Sequence, residues 1–450
     1  MVSSVLVDAL SDPTKTLVDL FDPTDSNGFP AKVTSHFANI FASKDAFSEI
    51  PSIYSVDPTQ QDRPLVFFRA MVQDNSFSPE MYLAKRNNGE CGGWGLGDDA
   101  SGDVDYTNLR ENTVVWAVNV PGESPWVASE CDELATDSSS AHSVISATHP
   151  HKFPIQGAPH LGVQAKIYDS ACAQQLKSTD IVTLVGLMTM EPCPCGRNRI
   201  FGRAAVVPTL HVLFIRPLAP TLIPRSYPFL SISNSQPLRQ ELIEWIGNEG
   251  LGGDLDAAEW VLLCIIARVQ SRTPPLLPPS LVLSQFPAPN GSTGRPRLAR
   301  ILSNLVPLFL ELDLSLDMLN TTAFYPESKN EDLHSGRLQV ARGTTYLITE
   351  SDVSEGAVLD RGLRNIRAVQ DAMSTQTLDY VFPFSSFSFN TDLIFIVVSE
   401  GKKSAFFETH INVPLRPPSK ASLYGDVTVM PSERSWPTSE AGSAERGLGM

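Results

Sequence analysis

The sequence predicts a multidomain fold of β and α/β parts: a small OB-like β-barrel followed by an α/β domain with a largely parallel sheet. Two observations carry this expectation. Six short strand-like runs lie between Arg63 and Ile215, and beyond Pro217 strand-like runs alternate with helical ones. With 450 residues and 42% hydrophobic content, the chain can form two or three domains with real cores. Only 19% of residues are charged and 35 are prolines, which adds long loops or disordered inserts between the folded parts.

Taken in order, residues 1–58 form an N-terminal helical segment. Val5, Leu10, Leu17, Leu20 and Phe21, then Phe37, Ile40 and Phe41, recur at helical spacing, with Asp-Pro and Gly-Phe-Pro breaks between them. Residues 59–217 form the β-domain. Leu65–Val72 is a strand, Glu80–Lys85 its hairpin partner, Gly89–Gly102 a glycine-rich loop and Thr113–Val120 a further strand. Residues 129–159 are polar and low in complexity and are expected to be a disordered insert. Strands resume at Val163–Tyr168, Asp180–Met188 and Thr209–Ile215, a set that suits a small closed barrel.

Residues 218–415 form the α/β domain. Pro237–Ile246 is an amphipathic helix with Leu238, Leu242, Trp245 and Ile246 on one side. Asp254 or Asp256 can cap a second helix, whose dense apolar run Trp260–Ala267 is expected to be core by its length. Leu281–Leu283 is a short strand; the loop Pro287–Pro296 follows, then a helix carrying Leu298, Ile301, Leu302 and Leu305. Leu310, Leu312, Leu314 and Leu316 alternate with polar residues as a half-buried strand. Thr344–Ile348 is a strand, Ala357–Met373 a helix and Leu393–Val398 a central strand. Strands alternating with helices argue for the parallel sheet. The Pro/Ser-rich tail, 416–450, is expected to be disordered.

The formal net charge of −16 repels phosphate backbones, and no run of clustered Lys and Arg supplies a basic face; the acidity favours a basic protein partner. Asp8, Asp12 and Lys15 interrupt the apolar residues of the N-terminus, unlike a secretory signal, and no apolar stretch reaches the ~18 residues of a membrane helix. The six cysteines are scattered, and Cys193-Pro-Cys195 has the wrong spacing for a zinc knuckle. Free thiols in a reducing compartment and no metal site are the expectation.

The run strand, loop with Gly291 and Gly294, then helix has the layout of a phosphate-binding loop. The chemistry needs a Lys for the β/γ-phosphates and a Ser or Thr for Mg²⁺. Here Arg295 and Pro296 follow Gly294, and Pro296 removes a backbone donor at the helix start. Thr344–Glu350 ends in Thr349-Glu350, where a metal-holding site needs a carboxylate at the first position, and Ser399 stands where an Asn commonly orients water. Gly401–Ser404 resembles the GK[ST] signature without its upstream glycine. No Gly-x-Ser-x-Gly elbow occurs. His142, His149, His151 and His160 lie in or beside the insert and are expected to be solvated spacer. No catalytic residue, cofactor or metal is therefore expected.

Several segments together form a recognisable set. They are Arg63–Asp74, Val120-Pro-Gly-Glu-Ser-Pro-Trp126, Val163–Asp169 with Asp180–Leu187, Pro208–Leu213, Ala257–Ile265 and Leu338–Glu350. In this order they resemble the eukaryotic MCM-binding proteins, fungal members in particular, over nearly the whole chain to about Leu415. Members of that family are similar to MCM helicase subunits, with an OB-like part and a degenerate AAA+-like part; Gly336–Gly343 before the Thr344 strand fits that kinship.

The resemblance implies a nuclear, non-catalytic protein that associates with MCM helicase subunits, usually in place of one hexamer subunit, and with chromatin through them. It also implies roles in chaperoning subunit assembly, in dissociating the complex from chromatin, and in DNA replication and sister-chromatid cohesion. Two features depart from the family: the insert after Trp126 is short and no strong basic import run is present. Pro121, Gly122, Glu123, Ser124 and Trp126 are the candidate partner-binding residues, Trp126 as an exposed aromatic anchor. The alternative is an OB-type single-strand binder stacking bases on Phe67, Phe68 and Trp116. No membrane partner is expected.

Overall fold

The computed structural model describes residues 4–57, 62–86, 89–96, 105–127, 149–193, 206–217, 232–288, 294–330, 332–350, 356–416, 423–425 and 427. Gly291, residues 129–148 of the expected insert and most of the tail lie outside them. The chain is mixed α/β with several sheets, and it divides into two units. One comprises Met1–Pro121, Asp132–Ala219 and Ser328–Ser335; the other comprises Gly122–Cys131, Pro220–Glu327 and Gly336–Met450.

The first unit holds β1 (Leu65–Asp74), β2 (Glu80–Leu83), β3 (Leu109–Val118), β4 (Gly162–Ile167), β5 (Ile181–Pro192) and β6 (Val206–Pro217). They pair in the order β1-β5-β6-β4-β3, and β3 pairs back onto β1, so five strands close into a ring with β2 attached outside to β3. Every pairing is antiparallel except β4 with β6. Alternation explains the closure. Val66, Phe68, Ala70 and Val72 share one core with Val115, Ala117, Val163, Ala165 and Leu184. The intervening Leu65 and Phe67 face the other way, with Val185, Leu187 and Leu213.

That second face is covered by α1 (Ser4–Ser11), α2 (Pro13–Leu20), α3 (Phe29–Ile40) and the short α4 (Lys44–Ser48), through Ala9, Leu17, Phe29, Val33, Phe37 and Phe41. β1 is therefore apolar on both faces, which is why Leu65–Val72 reads as a nearly continuous apolar run. Asp12 caps α2 by accepting the Lys15 N–H at 2.8 Å, with Pro13 in the first turn. Between β4 and β5, α5 (Ser170–Gln175) is capped by Asp169.

The residues expected to be solvated spacer behave otherwise where they are described. Lys152 is fully buried, and its ammonium donates to Asp74 at 2.8 Å and meets Asp332 at 2.6 Å. His151 contacts the other Asp332 oxygen at 2.8 Å, and His149 is buried against Trp116. Burial alone would lower the Lys152 pKa, but the two carboxylates outweigh it and raise it. Spacer composition misled because ion pairing can satisfy polar groups inside a fold as water does outside.

In the second unit, α6 (Ile232–Trp245) runs through a π-turn, Ile246–Gly250, towards α7 (Leu255–Ile266). α6 starts before Pro237, which lies inside the helix. Asp254, not Asp256, caps α7, accepting the Ala257 N–H at 3.0 Å. After a small ladder of β7 (Ser271–Arg272) and β8 (Pro275–Leu276) come β9 (Leu281–Ser284), α8 (Arg297–Leu305), β10 (Phe309–Asp313) and α9 (Leu316–Thr321). The leucine alternation expected as one strand is cut at Asp313 because Ser315 accepts the Met318 N–H and starts α9. Then follow β11 (Glu327–Lys329) and β12 (Asp332–His334), whose residues from Ser328 onwards are counted with the first unit, then β13 (Thr345–Thr349) and α10 (Asp360–Thr375). The hairpin β14 (Thr377–Val381)–β15 (Ser386–Asn390), β16 (Ile394–Val398) and β17 (Ile411–Pro414) complete it; the hairpin and β17 carry too little apolar run to be read as strands.

Five strands form an all-parallel sheet ordered β10-β13-β16-β9-β17. Its two faces are both covered. Leu281, Leu283, Leu347, Ile394 and Ile396 pack with α7 and α8, whereas Val282, Leu312, Tyr346, Ile348 and Phe395 pack with α9 and α10. Burial on both faces selects the unbroken apolar strands seen in the sequence. Among the described residues no helix is long and apolar enough to cross a membrane.

Candidate functional site

In an open parallel sheet, ligands bind beyond the carboxyl ends of the strands, where successive connections leave in opposite directions. Here that point is β9. From it the chain crosses to β10, returns through β13 to β16 beside β9, then passes to β17 on β9's other side. The sequence-expected positions Thr349, Glu350 and Ser399 come together at this edge, because Thr349 is in register with Asp313 and Val398 at the ends of β13, β10 and β16.

Each of them is engaged within the protein. Thr349 is buried and its hydroxyl donates to Asp313 at 2.7 Å. Glu350 accepts from the Ser404 hydroxyl at 2.5 Å and from the Ala405 N–H at 3.0 Å, so its carboxylate holds the turn after β16. Ser399 is buried; its hydroxyl donates to the Lys403 carbonyl at 3.1 Å, and its N–H donates to the Leu283 carbonyl at 3.0 Å. The chain leaving β9 is tied to the same turn: Gln285 N–H donates to Gly401 and Phe286 N–H to Ser399. The Lys-Lys-Ser run at 402–404 is part of this turn and not of a strand-to-helix loop.

The start of α8 is also closed. The Arg297 N–H, which a phosphate-binding helix would present to its ligand, donates to the Leu423 carbonyl at 2.9 Å. Pro296 bridges to Tyr424, and Gly425 N–H donates to the Arg295 carbonyl at 3.1 Å. A side chain at Gly294 would meet Tyr424 at 3.1 Å, and Tyr424 stands edge-on to Phe286 while donating to the Pro287 carbonyl. Arg295 pairs with Glu311. A segment of the tail thus lies across the helix start; its sequence carried no signal for this beyond the apolar pair Leu423-Tyr424.

The candidate partner-binding segment is largely built into the second unit. Ser124 is buried, its hydroxyl lying 2.9 and 2.6 Å from the carbonyls of Ser303 and Val306, and its N–H donates to Pro307 at 2.8 Å. Gly122 has φ +73° and accepts the Phe309 N–H; a Cβ there would lie 2.7 Å from Leu310 and from the Phe309 carbonyl, so only glycine fits. Glu123 bridges to Leu308, and Trp126 is half-buried; Pro121 falls in the first unit.

The base-stacking alternative loses its platform. Phe67, Phe68 and Trp116 are all buried, since each packs in or against the cores of the ring. One polar cluster on the ring is mutually satisfied. Glu191 accepts from His211 at 2.7 Å and Lys166 at 2.6 Å, Lys166 also holds Glu80, and the Tyr168 hydroxyl meets His211 at 2.8 Å. Burial would raise the Glu191 carboxyl, but hydrogen bonds and charge from His211 and Lys166 hold it at about 2. Among the described residues no group of three or more His, Cys, Asp or Glu is placed to hold a metal ion. Cys91, Cys172, Cys193 and Cys264 are free thiols, and burial pushes Cys264 up to about 12.

One surface was missed altogether. The run read as core, Trp260–Ala267, buries Val261, Cys264 and Ile265 but exposes Trp260, Leu263 and Ile266. The signal was available: Trp260–Ile266 is seven apolar residues in succession, which puts apolar side chains on both sides of the helix, more than one buried stripe needs.

The family model described as Mini-chromosome maintenance replisome factor matches residues 128–435, more than half of the chain. Three similar proteins bear the name Mini-chromosome maintenance complex-binding protein. The Salmo salar protein is 25% identical over 91% of this chain and 80% of its own length, and the Danio rerio protein 24% over 94% and 83%. The Arabidopsis thaliana protein is 24% identical over 90% and 80%. The chain therefore belongs to the Mini-chromosome maintenance replisome factor family.

Proposed function

We propose that this protein binds subunits of the MCM helicase as a non-catalytic adaptor and chaperone. The observation that carries the reading is the family membership, together with relatives from fish and a plant that share the name of an MCM complex-binding protein across most of both chains. The architecture supports it. A closed five-stranded ring with a single parallel pairing is what an OB-like barrel requires, and an all-parallel five-stranded sheet with a strand–loop–helix at its switch point suits a degenerate AAA+-like domain.

In this reading the protein acts as a pseudo-subunit. It keeps the shape that helicase subunits dock against, while the groups at its strand ends are committed to internal hydrogen bonds. It would hold subunits outside the working ring in the nucleus, assist their assembly, and release the complex from chromatin. DNA replication and sister-chromatid cohesion depend on those steps. Trp126 remains a candidate contact residue.

The test is co-purification of the full chain with each MCM subunit at moderate salt. Retention of at least one subunit is expected; recovery of none overturns the reading. Isothermal titration with Mg-ATP is expected to give no saturable heat, and a saturable isotherm would overturn the pseudo-subunit mechanism.

A further inference from the structure

The hairpin β14–β15 leaves one strand edge open. β15 pairs with β14 alone, with Tyr380 opposite Phe387 and Leu378 opposite Phe389. Two backbone bonds fix which groups point inward. At the turn the Phe382 N–H donates to the Ser385 carbonyl, and at the far end the Thr391 N–H donates to the Gln376 carbonyl, each at 2.8 Å. Antiparallel pairs alternate between hydrogen-bonded and non-hydrogen-bonded. Phe387 and Phe389 therefore direct their N–H and C=O to β14, whereas Ser386, Ser388 and Asn390 turn theirs outward. β14 keeps the same parity on its far side, where the outward Val381 N–H donates to the Pro326 carbonyl at 2.9 Å. Ser386, Ser388 and Asn390 are exposed, and no second strand pairs with them among the described residues.

Such edges are normally blunted by charge, proline, a bulge or a covering segment. The parallel sheet of the same unit follows that rule: residues 122–124 bond along the chain entering β10, and β17 ends in Pro414. β15, Ser-Phe-Ser-Phe-Asn, has no charge and no proline, and its register with β14 is unbroken. Its aromatic face is also incompletely covered. Phe389 packs against the core and lies beside Tyr380, but Phe387, edge-on to Phe382, is 65% exposed. Phe384, in the turn, is fully exposed.

Open backbone donors and acceptors at every second residue fit one kind of occupant, an extended strand. A second copy is disfavoured. A five-residue edge, ~17 Å long, gives a self-pair far below the ~1,200 Å² of stable interfaces, and each copy carries a net charge of −16. A strand of a partner held elsewhere on the chain escapes that limit, because tethering raises its effective concentration. We infer that the outer edge of β15 takes an extended segment of the MCM subunit bound in the reading above, by strand addition. Alternation sets the chemistry of that segment. Apolar residues at every second position cover Phe387, and the polar residues between them lie beside Ser386, Ser388 and Asn390. The inference rests on the MCM-binding reading and supplies one of its contacts.

The test compares the immobilised full chain as wild type, Ser388→Pro and Phe387→Asp for retention of purified MCM subunits. Proline at 388 removes an outward N–H that β14 does not use, so the hairpin is expected to survive while affinity falls at least ~10-fold. Phe387→Asp alters an exposed side chain and is expected to weaken binding to a similar extent; it serves if Ser388→Pro fails to fold. Hydrogen exchange needs no variant: in the wild type the peptide spanning residues 384–391 is expected to gain protection at the amides of Ser386, Ser388 and Asn390 when the subunit binds. Undiminished binding by folded variants, or exchange unchanged on binding, overturns strand addition and leaves the MCM-binding reading standing. Light scattering that shows a wild-type dimer broken by Ser388→Pro assigns the edge to a second copy and also overturns it. Outward amides already protected in the free chain do the same, by assigning the edge to a segment of the chain itself. If the wild type retains no MCM subunit, both readings fall together.

Discussion

The carboxyl ends of the parallel strands and the outer face of α7 lie in the same unit and invert each other's sequence signal. The strand ends look like a site, and their described polar groups are engaged within the protein; the α7 run looks like core and is partly exposed. At the strand ends, polar residues at positions suited to phosphate and metal bond instead to Asp313, Ser404, Lys403 and the backbone. On α7, apolar residues meet no partner surface among the described residues beyond a shallow groove with α6. A functional layout persists where its geometry also serves the fold.

Substitutions can break this contrast, beginning where the effect should be greatest. Thr349→Asp would supply the carboxylate a metal site wants, yet would place it against Asp313 in a buried position. We expect destabilisation by about 3 kcal/mol or more in urea unfolding, with no gain in Mg-ATP binding by calorimetry. If the variant is stable and binds nucleotide, the strand ends are not closed.

The ring of the first unit offers a second closed polar cluster. Glu191 is held at about 2, below the ordinary carboxyl value of 4.5, so it stabilises the fold above pH 4.5 and that contribution is lost as pH falls through about 2. Glu191→Gln should cost up to ~3 kcal/mol at neutral pH, and its stability should converge with the wild type towards pH 2. Parallel curves at all pH values would show that the cluster contributes no charge-dependent stability.

Tyr424→Ala removes the edge contact with Phe286 and the hydrogen bond to Pro287, and should cost about 1–2 kcal/mol by thermal or urea unfolding. Faster amide exchange at Arg297, whose N–H donates to Leu423, would follow if Tyr424 pins the tail there. Smallest should be the stability effect of Leu263→Glu, within about 0.5 kcal/mol, since the side chain faces outward. A cost above ~2 kcal/mol would make α7's outer face part of the core.

Much of the fold was legible. Periodicity located the five strands of the ring and β2 beside it, the central β9, β13 and β16, and the covering helices except α9, because burying both faces of a strand demands continuous apolar residues. The site was legible only as a layout. Arg295, Pro296, Thr349 and Ser399 could be recognised as the wrong residues for nucleotide chemistry, but what they do instead depends on partners such as Asp313, Glu311, Lys403 and Tyr424, some far away in the chain. The buried Lys152 was hidden for the same reason: Asp74 lies 78 positions before it and Leu333, whose carbonyl it also meets, 181 after.

By itself, then, the sequence determined the order of β and α/β parts and the family, since local periodicity and ordered motifs survive without long-range contacts. Only the tertiary structure decided that the described polar groups at the nucleotide-like edge bond within the protein and that α7 presents apolar side chains outward. Hydrophobicity specifies that a side chain should leave water, but not whether its own chain or a partner receives it.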